Sequence, residues 1–355
     1  MVACDRTAVR TTRILQRKHG STMRSLAAFV VAASALTWLA TARGGSPAGA
    51  MAGVAHSQPQ GAQEVISSSS RASEGTLVAV RGRTSDRLGR LQSARLANRS
   101  ATSIGPTTSL HFAPNGNFGT GSTASAYLPG ADGFNLADVR SVGQLDSLPQ
   151  GIKGLVWVGL CQGVDPTFTS TVAPFVGNAK VFGFYLMDDP DPTGKYHPTC
   201  AASHLKAESD WIHAHVPGTR TFILLLNLGS DTAPNYSGSY SPANSHIDLY
   251  GVDPYPCTKQ FHGCNYRTIG NRVSVAKASG ISTSQIVPVY QAFGGGRYRA
   301  WLLPTAKEEV KLLATWKSFV PRPVFDYAYS WGDQYGDRAL QGTPALRKVF
   351  SAQNG

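Results

Sequence analysis

The decapeptide VFGFYLMDDP, residues Val181–Pro190, decides how the rest of the sequence is interpreted. Seven apolar or glycine residues run directly into two carboxylates and a proline, a pattern typical of a buried parallel strand that ends at a polar face. Proline has no backbone N–H to donate, so the strand stops at Pro190. The segment therefore predicts a strand whose carboxyl end carries Asp188 and Asp189.

Six further segments have the same apolar character. They are Gly133–Val139, Gly154–Leu160, Thr221–Asn227, Ile247–Pro256, Ile286–Gly294 and Val324–Asp333. Segments with helical spacing lie between them, among them Thr167–Val176, Ala201–His215, Thr268–Ser279, Thr305–Phe319 and Thr343–Ser351. The start of Thr305–Phe319 carries a capping box of Thr305 and Glu308. Regular alternation of strands and helices implies a parallel sheet with right-handed crossovers.

The alternating part of the chain, residues 106–355, has the size of one (β/α)8 domain of about 250 residues. Seven strands are clear, and the eighth is expected at Leu110–Phe112 or at Ala126–Leu128. An open doubly wound sheet is the alternative, disfavoured because no glycine-rich phosphate loop follows any strand. The sequence therefore predicts an α/β fold of the TIM-barrel type.

The first 105 residues differ from the rest in charge and composition. They carry fourteen Lys/Arg against four Asp/Glu, which places about +10 of the +12 net charge outside the predicted barrel. Residues 43–105 are rich in Ser, Ala, Gly, Arg and Gln and nearly free of aromatics, so they are predicted to be a disordered linker. Because the barrel itself is nearly neutral and shows no basic stripe, nucleic-acid binding is not expected.

Residues 1–42 are predicted to be a signal peptide. Leu26–Ala42 is an apolar run that follows Arg24, and it ends in the small-x-small pattern of a signal-peptidase site. A start at Met23 would give the segment an ordinary length. A membrane anchor is the alternative, since the run approaches the roughly 20 residues that span a bilayer. We expect a secreted protein, with cell-wall association as one variant, that is monomeric and not membrane-inserted after cleavage.

Cysteine usage agrees with export. Removal of the segment that contains Cys4 leaves four cysteines, an even number, in a chain with a predicted signal peptide. Three pairings are open, and we favour Cys161–Cys200 and Cys257–Cys264. A zinc site is the alternative, but the sequence has neither a C-x-x-C motif nor a helical H-x-x-x-H pair. No metal and no cofactor is expected.

Polar and aromatic residues collect at the carboxyl ends of the predicted strands, which converge on one face of a parallel barrel. The candidates for this face are Asp138, Asp188, Asp189, Asn227, Asp253, Tyr255, Gln291, Tyr329, Trp331 and Asp333. Two carboxylates beside flat rings are what a glycosidase requires: an acid, a base or nucleophile, and platforms for sugars. The three glutamates of the barrel, Glu208, Glu308 and Glu309, fall on predicted helices, so the carboxylate pair must be aspartates.

The segment FGFYLMDDP resembles the fourth strand of TIM-barrel glycoside-hydrolase-like proteins, which often reads Tyr-x-x-Asp-Glu-Pro. IDLYGVDPYP is similar to their Asp-x-Tyr-Pro strand, and VYQAFGGG followed by LPTAKEEVKLLATW is similar to their Gln-x-Phe-Gly strand and Pro-Thr-x-x-Glu helix. The resemblance covers residues 180–333 and implies a glycosidase-like barrel. It departs from the family pattern at Asp189, which stands where the family has a glutamate.

We therefore predict a secreted glycoside hydrolase that acts on a poly- or oligosaccharide. Asp189 and Asp253 form the carboxylate pair, with Asp188 replacing Asp189 if strand parity turns it inward. Tyr255 and Gln291 are expected to hold sugar hydroxyls, and Trp331 to provide the stacking platform.

Several alternatives stay open. The barrel could bind carbohydrate without hydrolysing it, or be a cell-wall structural protein whose strand-end face lacks exposed aromatics. Asp188, Asp189 and Asp191 could form a calcium loop. Asp253 could serve only to cap a turn or helix.

Overall fold

The structure is a computed structural model, which describes residues 105, 108–123, 125–296 and 300–355. The predicted signal peptide and nearly all of the predicted linker lie outside these residues, so both stay predictions. Within the described part of the chain, no helix is both long and apolar enough to cross a membrane.

Eight parallel strands form a closed barrel, as the sequence predicts. Around the barrel they are β1 (His111–Phe112), β2 (Leu136–Val139), β3 (Lys153–Trp157), β4 (Val181–Met187), β5 (Arg220–Leu224), β6 (Leu249–Val252), β9 (Ile286–Gln291) and β10 (Asp326–Tyr329). Pairing of β1 with β10 closes the ring. A small antiparallel hairpin, β7 (Cys257–Thr258) and β8 (Gly263–Cys264), follows β6 and lies outside the barrel sheet.

Helices connect the strands. They are α1 (Val142–Ser147), α2 (Pro166–Val172), α3 (Ala202–His215), α4 (Pro242–Ser245), α5 (Arg267–Ala278), α6 (Ala306–Phe319) and α7 (Pro344–Asn354). Short 3₁₀ turns lie at Gly121–Thr123, Pro129–Asp132, Ala173–Phe175 and Thr283–Gln285. The capping box at the start of α6 is confirmed, because Thr305 and Glu308 each accept a hydrogen bond from the backbone N–H of the other.

Strand alternation separates two apolar layers. One layer fills the barrel with large side chains from alternate strand positions, for example Phe112, Phe222 and Phe325. The rings of Phe222 and Phe325 pack edge to face with centroids 5.2 Å apart. The other layer, which includes Phe184 and Trp316, lies between the strands and the helices. Side chains that continue the inward-facing alternation beyond the last residue of a strand therefore lie at the opening of the barrel.

The eighth strand is the first in the chain. The candidate Leu110–Phe112 is confirmed by β1, and the candidate Ala126–Leu128 is wrong. Tyr127 instead forms an isolated antiparallel bridge with Phe118 in the connection from β1 to β2. A two-residue strand is too short to give a periodic signal, so it could be located only by the need to close the ring.

Both predicted disulfides are confirmed. Cys161 and Cys200 have Cα atoms 5.5 Å apart and join the loops after β3 and β4. Cys257 and Cys264 have Cα atoms 3.8 Å apart and close the hairpin after β6. Each bond thus fixes a loop on the face where the strands end.

Candidate active site at the carboxyl ends of the strands

Four aspartates meet at the carboxyl end of the barrel, which we call the mouth. Asp138 lies in β2, Asp188 and Asp189 follow β4, and Asp253 follows β6. Their carboxylates interact electrostatically. The charge of Asp188 raises the pKa values of Asp138 and Asp253, and the charges of Asp188 and Asp253 raise the pKa of Asp189. The parallel barrel therefore brings together carboxylates from three alternate strands, as the sequence predicts.

A bulge near the end of β4 decides where Asp188 points. The register with β5 shifts between Tyr185 and Met187, which inserts one extra residue and reverses the parity of the residues beyond it. Asp188 consequently lies on the same side as the inward-facing Tyr185, whose hydroxyl donates a hydrogen bond of 2.7 Å to Asp188 Oδ1. This contact gives a physical reason for the Tyr-x-x-Asp spacing.

Asp188 is exposed to solvent on one side and crowded by protein on the others. Burial raises its pKa, while the hydrogen bond from Tyr185 and the charge of His197 lower it. His197 lies in the loop that follows β4. Burial is the largest of these effects, so the pKa of Asp188 stays above its usual range while the Tyr185 hydroxyl and His197 limit the increase.

Asp189 occupies a left-handed backbone conformation, with φ of 46°. Its side chain is half-buried and remains on the mouth, so both members of the Asp-Asp pair are placed there. Burial raises its pKa well above the usual range, and the charges of Asp253 and Asp188 raise it further, against a smaller opposing effect of Arg272. Burial and the two neighbouring carboxylates thus favour the protonated form of Asp189.

Asp253 is buried and lies at an inward parity position beyond β6. Its Oδ1 accepts a hydrogen bond from Arg272 Nη1 at 3.3 Å. Burial raises the pKa of Asp253 to about 7, Arg272 opposes this shift, and Asp188 adds to it. The Asp253 side chain therefore faces charged partners inside the mouth, so the alternative that it merely caps a turn does not describe its contacts.

Asp138 forms the edge of the cluster. Its Oδ2 lies 3.8 Å from Arg140 Nη2 and accepts a hydrogen bond from the backbone N–H of Asn115 at 3.5 Å. Burial raises the pKa of Asp138, and Arg140 and Asn115 oppose the shift. These contacts hold Asp138 in place beside the other carboxylates.

The loop between β4 and α3 is organised by Asp191. The buried Asp191 carboxylate accepts hydrogen bonds from the backbone N–H groups of Thr193, Tyr196 and His197. Although burial acts in the opposite direction, these bonds and the Thr193 hydroxyl hold the pKa of Asp191 well below its usual range. In the described part of the chain, no group of three or more metal-ligating side chains could hold a metal ion.

The structure corrects the predicted role of Gln291. Its side chain is fully buried, and its Oε1 accepts from the Cys257 backbone N–H at 2.7 Å. Its Nε2 donates to the carbonyl oxygens of Cys257 at 2.9 Å and Leu302 at 3.0 Å. Gln291 therefore joins two loops of the mouth, and its amide is not available to sugar hydroxyls.

Trp331 is also placed elsewhere. It is 3% exposed and packs in the helix-facing layer against Phe134, with the Arg347 guanidinium over its ring at 5.3 Å. The stacking role predicted for Trp331 is therefore wrong.

The predicted strand Val324–Asp333 is longer than β10, which ends at Tyr329 before the chain turns away.

Two other predicted contact residues have local structural partners. Asn227 Oδ1 accepts from the backbone N–H groups of Gly229 and Asn235 and so shapes the loop after β5. Asp333 Oδ1 accepts from the Ala339 backbone N–H at 2.7 Å in the loop after β10. Both support the loops of the mouth.

Aromatic rings cover one side of the mouth. Tyr255 packs against Phe293 with centroids 5.0 Å apart, and against Tyr329 at 5.8 Å and Trp301 at 6.3 Å. Tyr255, Tyr329 and Trp301 are half-buried, so each keeps a surface open to solvent. Tyr335 is 79% exposed and lies within electrostatic range of Tyr329. We call these four residues, Tyr255, Trp301, Tyr329 and Tyr335, the aromatic rim.

A further ring lies on the opposite side of the barrel. Trp157, at the end of β3, packs edge to face on Tyr185 with centroids 4.9 Å apart, and the Arg140 guanidinium lies 5.5 Å from its ring centre. Trp157 is half-buried at the mouth.

The three glutamates of the barrel lie on helices, as predicted. Glu208 of α3 accepts from the backbone N–H groups of Gln162 and Gly163, both at 3.0 Å, and burial raises its pKa to about 8. Glu309 of α6 is fully buried, and burial raises its pKa well above the usual range. Among the described acidic residues, those in or directly after the strands of the barrel that meet at the mouth are therefore aspartates.

Sequence reasoning missed Arg272. It lies on the buried face of α5 with Ile269, Val273 and Ala276. An arginine at a helical core position requires a buried anionic partner, which is the signal that could have found it.

The sequence matches no protein-family profile and no curated protein sequence. Three solved structures illustrate the similarity of its fold. A chitinase from Chromobacterium violaceum is 11% identical with a TM-score of 0.44, covering 70% of this chain and 98% of its own. A chitinase-like agglutinin from Robinia pseudoacacia is 12% identical with a TM-score of 0.41, covering 64% and 95%.

The third is a β-glucuronidase from Ruminococcus gnavus, 8% identical with a TM-score of 0.46, which covers 69% of this chain and 49% of its own. Identities and scores at this level assign no activity. The chain is a (β/α)8 barrel whose structure is similar to those of glycoside hydrolases and of a chitinase-like agglutinin.

Proposed function

We propose that this protein is an exported glycoside hydrolase that cleaves a poly- or oligosaccharide at the mouth of its barrel. The observation that carries the proposal is the electrostatically coupled pair Asp189 and Asp253, held at the ends of β4 and β6 beside an aromatic rim. Two carboxyl groups with raised pKa values can divide the proton between them, and glycosidic hydrolysis requires one protonated and one ionised carboxyl group.

The two groups differ in their surroundings. The pKa of Asp189 is raised by burial and by two neighbouring carboxylates, so we assign it the role of acid that protonates the leaving oxygen. Asp253 is paired with Arg272, which favours its ionised form, so we assign it the role of base or nucleophile. Asp188, held by Tyr185, adds negative charge beside an oxocarbenium-like transition state.

The aromatic rim supports a sugar-chain substrate. Flat rings stack on the apolar faces of pyranose sugars, and Trp301 and Tyr335 take over the platform role predicted for Trp331. Trp157 offers a second surface across the barrel. Platforms on both sides of the carboxylates favour a chain of several sugar units over a single sugar.

Export is supported by the two disulfides, because such bonds form and persist in oxidising compartments. We propose a secreted or cell-wall-associated monomer that needs no cofactor and binds no nucleic acid. The aromatic rim favours carbohydrate binding over a purely structural role in the wall.

A second candidate is a barrel that binds carbohydrate without cleaving it. It is favoured by one observation: the described residues place no glutamate at the mouth, and Asp189 stands where the related motif has a glutamate. A carboxyl shortened by one methylene could bind a sugar without reaching the glycosidic oxygen.

The test is to incubate the exported full-length protein with a panel of cell-wall and plant polysaccharides. Release of new reducing ends and retention on each polysaccharide are measured in parallel. The proposal expects at least one polysaccharide to be both bound and cleaved. Binding without new reducing ends would support the second candidate, and neither binding nor cleavage would contradict both.

A further inference from the structure

Arg272 reaches the mouth from the outer helix layer. It lies in α5, and its side chain is 8% exposed. The neighbouring residues of the same helix face, Ile269, Val273 and Ala276, are buried and apolar. A guanidinium in such surroundings must be compensated by several polar partners, since desolvating a charge is costly.

The two ends of the Arg272 fork bind two different segments. Nη1 donates to Asp253 Oδ1 at 3.3 Å, and Nη2 donates to Asp231 Oδ1 at 2.9 Å. Asp231 lies in the connection between β5 and α4, while Asp253 ends β6. One planar cation therefore holds a carboxylate of the proposed catalytic pair and the adjacent loop in a fixed relation.

Other titratable groups surround this contact. Asp188 and Asp189 face Asp253 from the end of β4. From the loop after β5, the fully buried Tyr236 interacts with both the Arg272 charge and Asp253. Within this group of described residues, Arg272 is the cation in direct contact with Asp253.

We propose that Arg272 is a positioning residue that orients the Asp253 carboxylate and couples it to the loop of residues 227–236. The inference rests on the proposed function and extends it, because it assigns a residue that supports Asp253 within the same site. Asn227 joins the two sides of this loop, because its Oδ1 accepts hydrogen bonds from the backbone N–H groups of both Gly229 and Asn235. A ligand that contacts the loop would therefore change the orientation of the Asp253 carboxylate through Arg272.

The test uses the full-length protein labelled with carboxyl-¹³C aspartate, in which the Asp253 signal is assigned with Asp253→Asn. Arg272→Ala should raise the titration midpoint of Asp253 by at least about one pH unit, since a neighbouring opposite charge shifts a carboxyl by about 1–3 units. Added methylguanidine at a non-denaturing concentration should lower the midpoint again. Arg220→Ala, which removes an arginine 3.6 Å from Asp248, is the matched control and should leave Asp253 unchanged.

Two milder variants distinguish the hydrogen bond of Arg272 to Asp253 from its hydrogen bond to Asp231. Asp231→Asn should not raise the Asp253 midpoint, because the Asp231 charge itself raises the pKa of Asp253, but it should increase amide hydrogen exchange across residues 227–236. Arg272→Lys retains one charge without the fork, so it should hold the midpoint closer to the wild-type value and show the same faster exchange.

Two results would overturn the proposal: a wild-type Asp253 midpoint in folded Arg272→Ala, or unchanged exchange in both Asp231→Asn and Arg272→Lys. If Arg272→Ala fails to fold, Arg272→Lys and Asp231→Asn decide the question through exchange alone. None of these readouts needs a substrate, so the proposal can fail while the proposed hydrolysis holds, and the reverse.

Discussion

The Tyr185 hydroxyl donates a 2.7 Å hydrogen bond to Asp188 Oδ1, joining the last inward-facing ring of β4 to the first carboxylate beyond the strand. The bulge between Tyr185 and Met187 makes this contact possible, because it turns Asp188 to the inner side. The same tyrosine supports Trp157 through an edge-to-face contact. One residue thus positions both a carboxylate and an aromatic surface of the mouth.

Tyr185→Phe tests this relationship. Removing the donor leaves the Asp188 carboxylate less stabilised, so its pKa should rise and hydrolysis should fall by about tenfold, which corresponds to about 1.4 kcal/mol. The measurement is the pH dependence of kcat/KM together with the Asp188 titration by ¹³C NMR.

The matched control is Tyr290→Phe. Tyr290 is equally buried, and its hydroxyl bonds Asp326 at 3.3 Å on the helix-facing side of the barrel. This variant should lose some stability but keep the wild-type pH profile. Identical pH profiles for Tyr185→Phe and the wild type would contradict the assigned role of Tyr185.

The aromatic rim should govern affinity for oligosaccharides. Tyr335→Ala removes a ring that is 79% exposed, so it should weaken binding by about two- to tenfold at little cost in stability. Isothermal titration calorimetry on the Asp253→Asn background, where the ligand is not consumed, measures the effect. Trp331→Phe is the contrasting variant, and it should reduce stability without changing affinity because Trp331 is buried under α7. The opposite pattern would restore the sequence-based assignment.

Glu309 predicts a pH dependence of stability. Its folded-state pKa is well above the unfolded value, so both states are protonated below about pH 4.5 and only the unfolded state ionises as the pH rises. The free energy of unfolding should therefore decrease by about 1.4 kcal/mol per pH unit above that point, until the folded-state pKa is reached.

Glu309→Gln removes this pH-dependent contribution to the free energy of unfolding. Relative to the wild type, the variant should gain about 2–3 kcal/mol between pH 4.5 and 6.5 in urea denaturation. Asp146→Asn is the control; Asp146 is exposed and hydrogen-bonds Asn178, which precedes β4 at the amino end of the barrel. Parallel stability curves for Glu309→Gln and the wild type would show that the folded protein ionises Glu309.

The barrel could be predicted from the sequence because seven strands are long apolar runs, each followed by a helical segment. The eighth, β1, has two residues and gives no periodicity, so only closure of the ring locates it. The disulfide pairs were also predictable, since the cysteines follow neighbouring strands or close a short hairpin. Several predicted strands extend beyond the observed ones, because the backbone leaves the extended conformation at their polar ends, as at Asp189 with φ of 46° and Tyr255 with φ of 39°.

The site was predictable in its carboxylates but not in its supporting groups. Asp189 and Asp253 follow from their positions at strand ends alone. Gln291 and Trp331 occupy similar positions, but their side chains serve the loops and the outer layer, which only tertiary contacts reveal. The bulge that turns Asp188 inward depends on pairing with β5 and has no signature within β4 itself.

The central claim is that Asp189 acts as the acid and Asp253 as the base or nucleophile. Both Asp189→Asn and Asp253→Asn should lower hydrolysis of the natural substrate by two or more orders of magnitude while folding is kept. Asp146→Asn, at the opposite end of the barrel, should hydrolyse it at the wild-type rate.

The most direct measurement compares these variants on a dinitrophenyl glycoside of the cleaved sugar, whose leaving group needs no protonation. We predict that Asp189→Asn retains cleavage of this compound and that Asp253→Asn does not. We also predict that wild-type hydrolysis of the natural substrate falls as the pH is lowered through about 7, where Asp253 becomes protonated. Wild-type rates for both Asp→Asn variants on the natural substrate would contradict the account and place the reaction elsewhere.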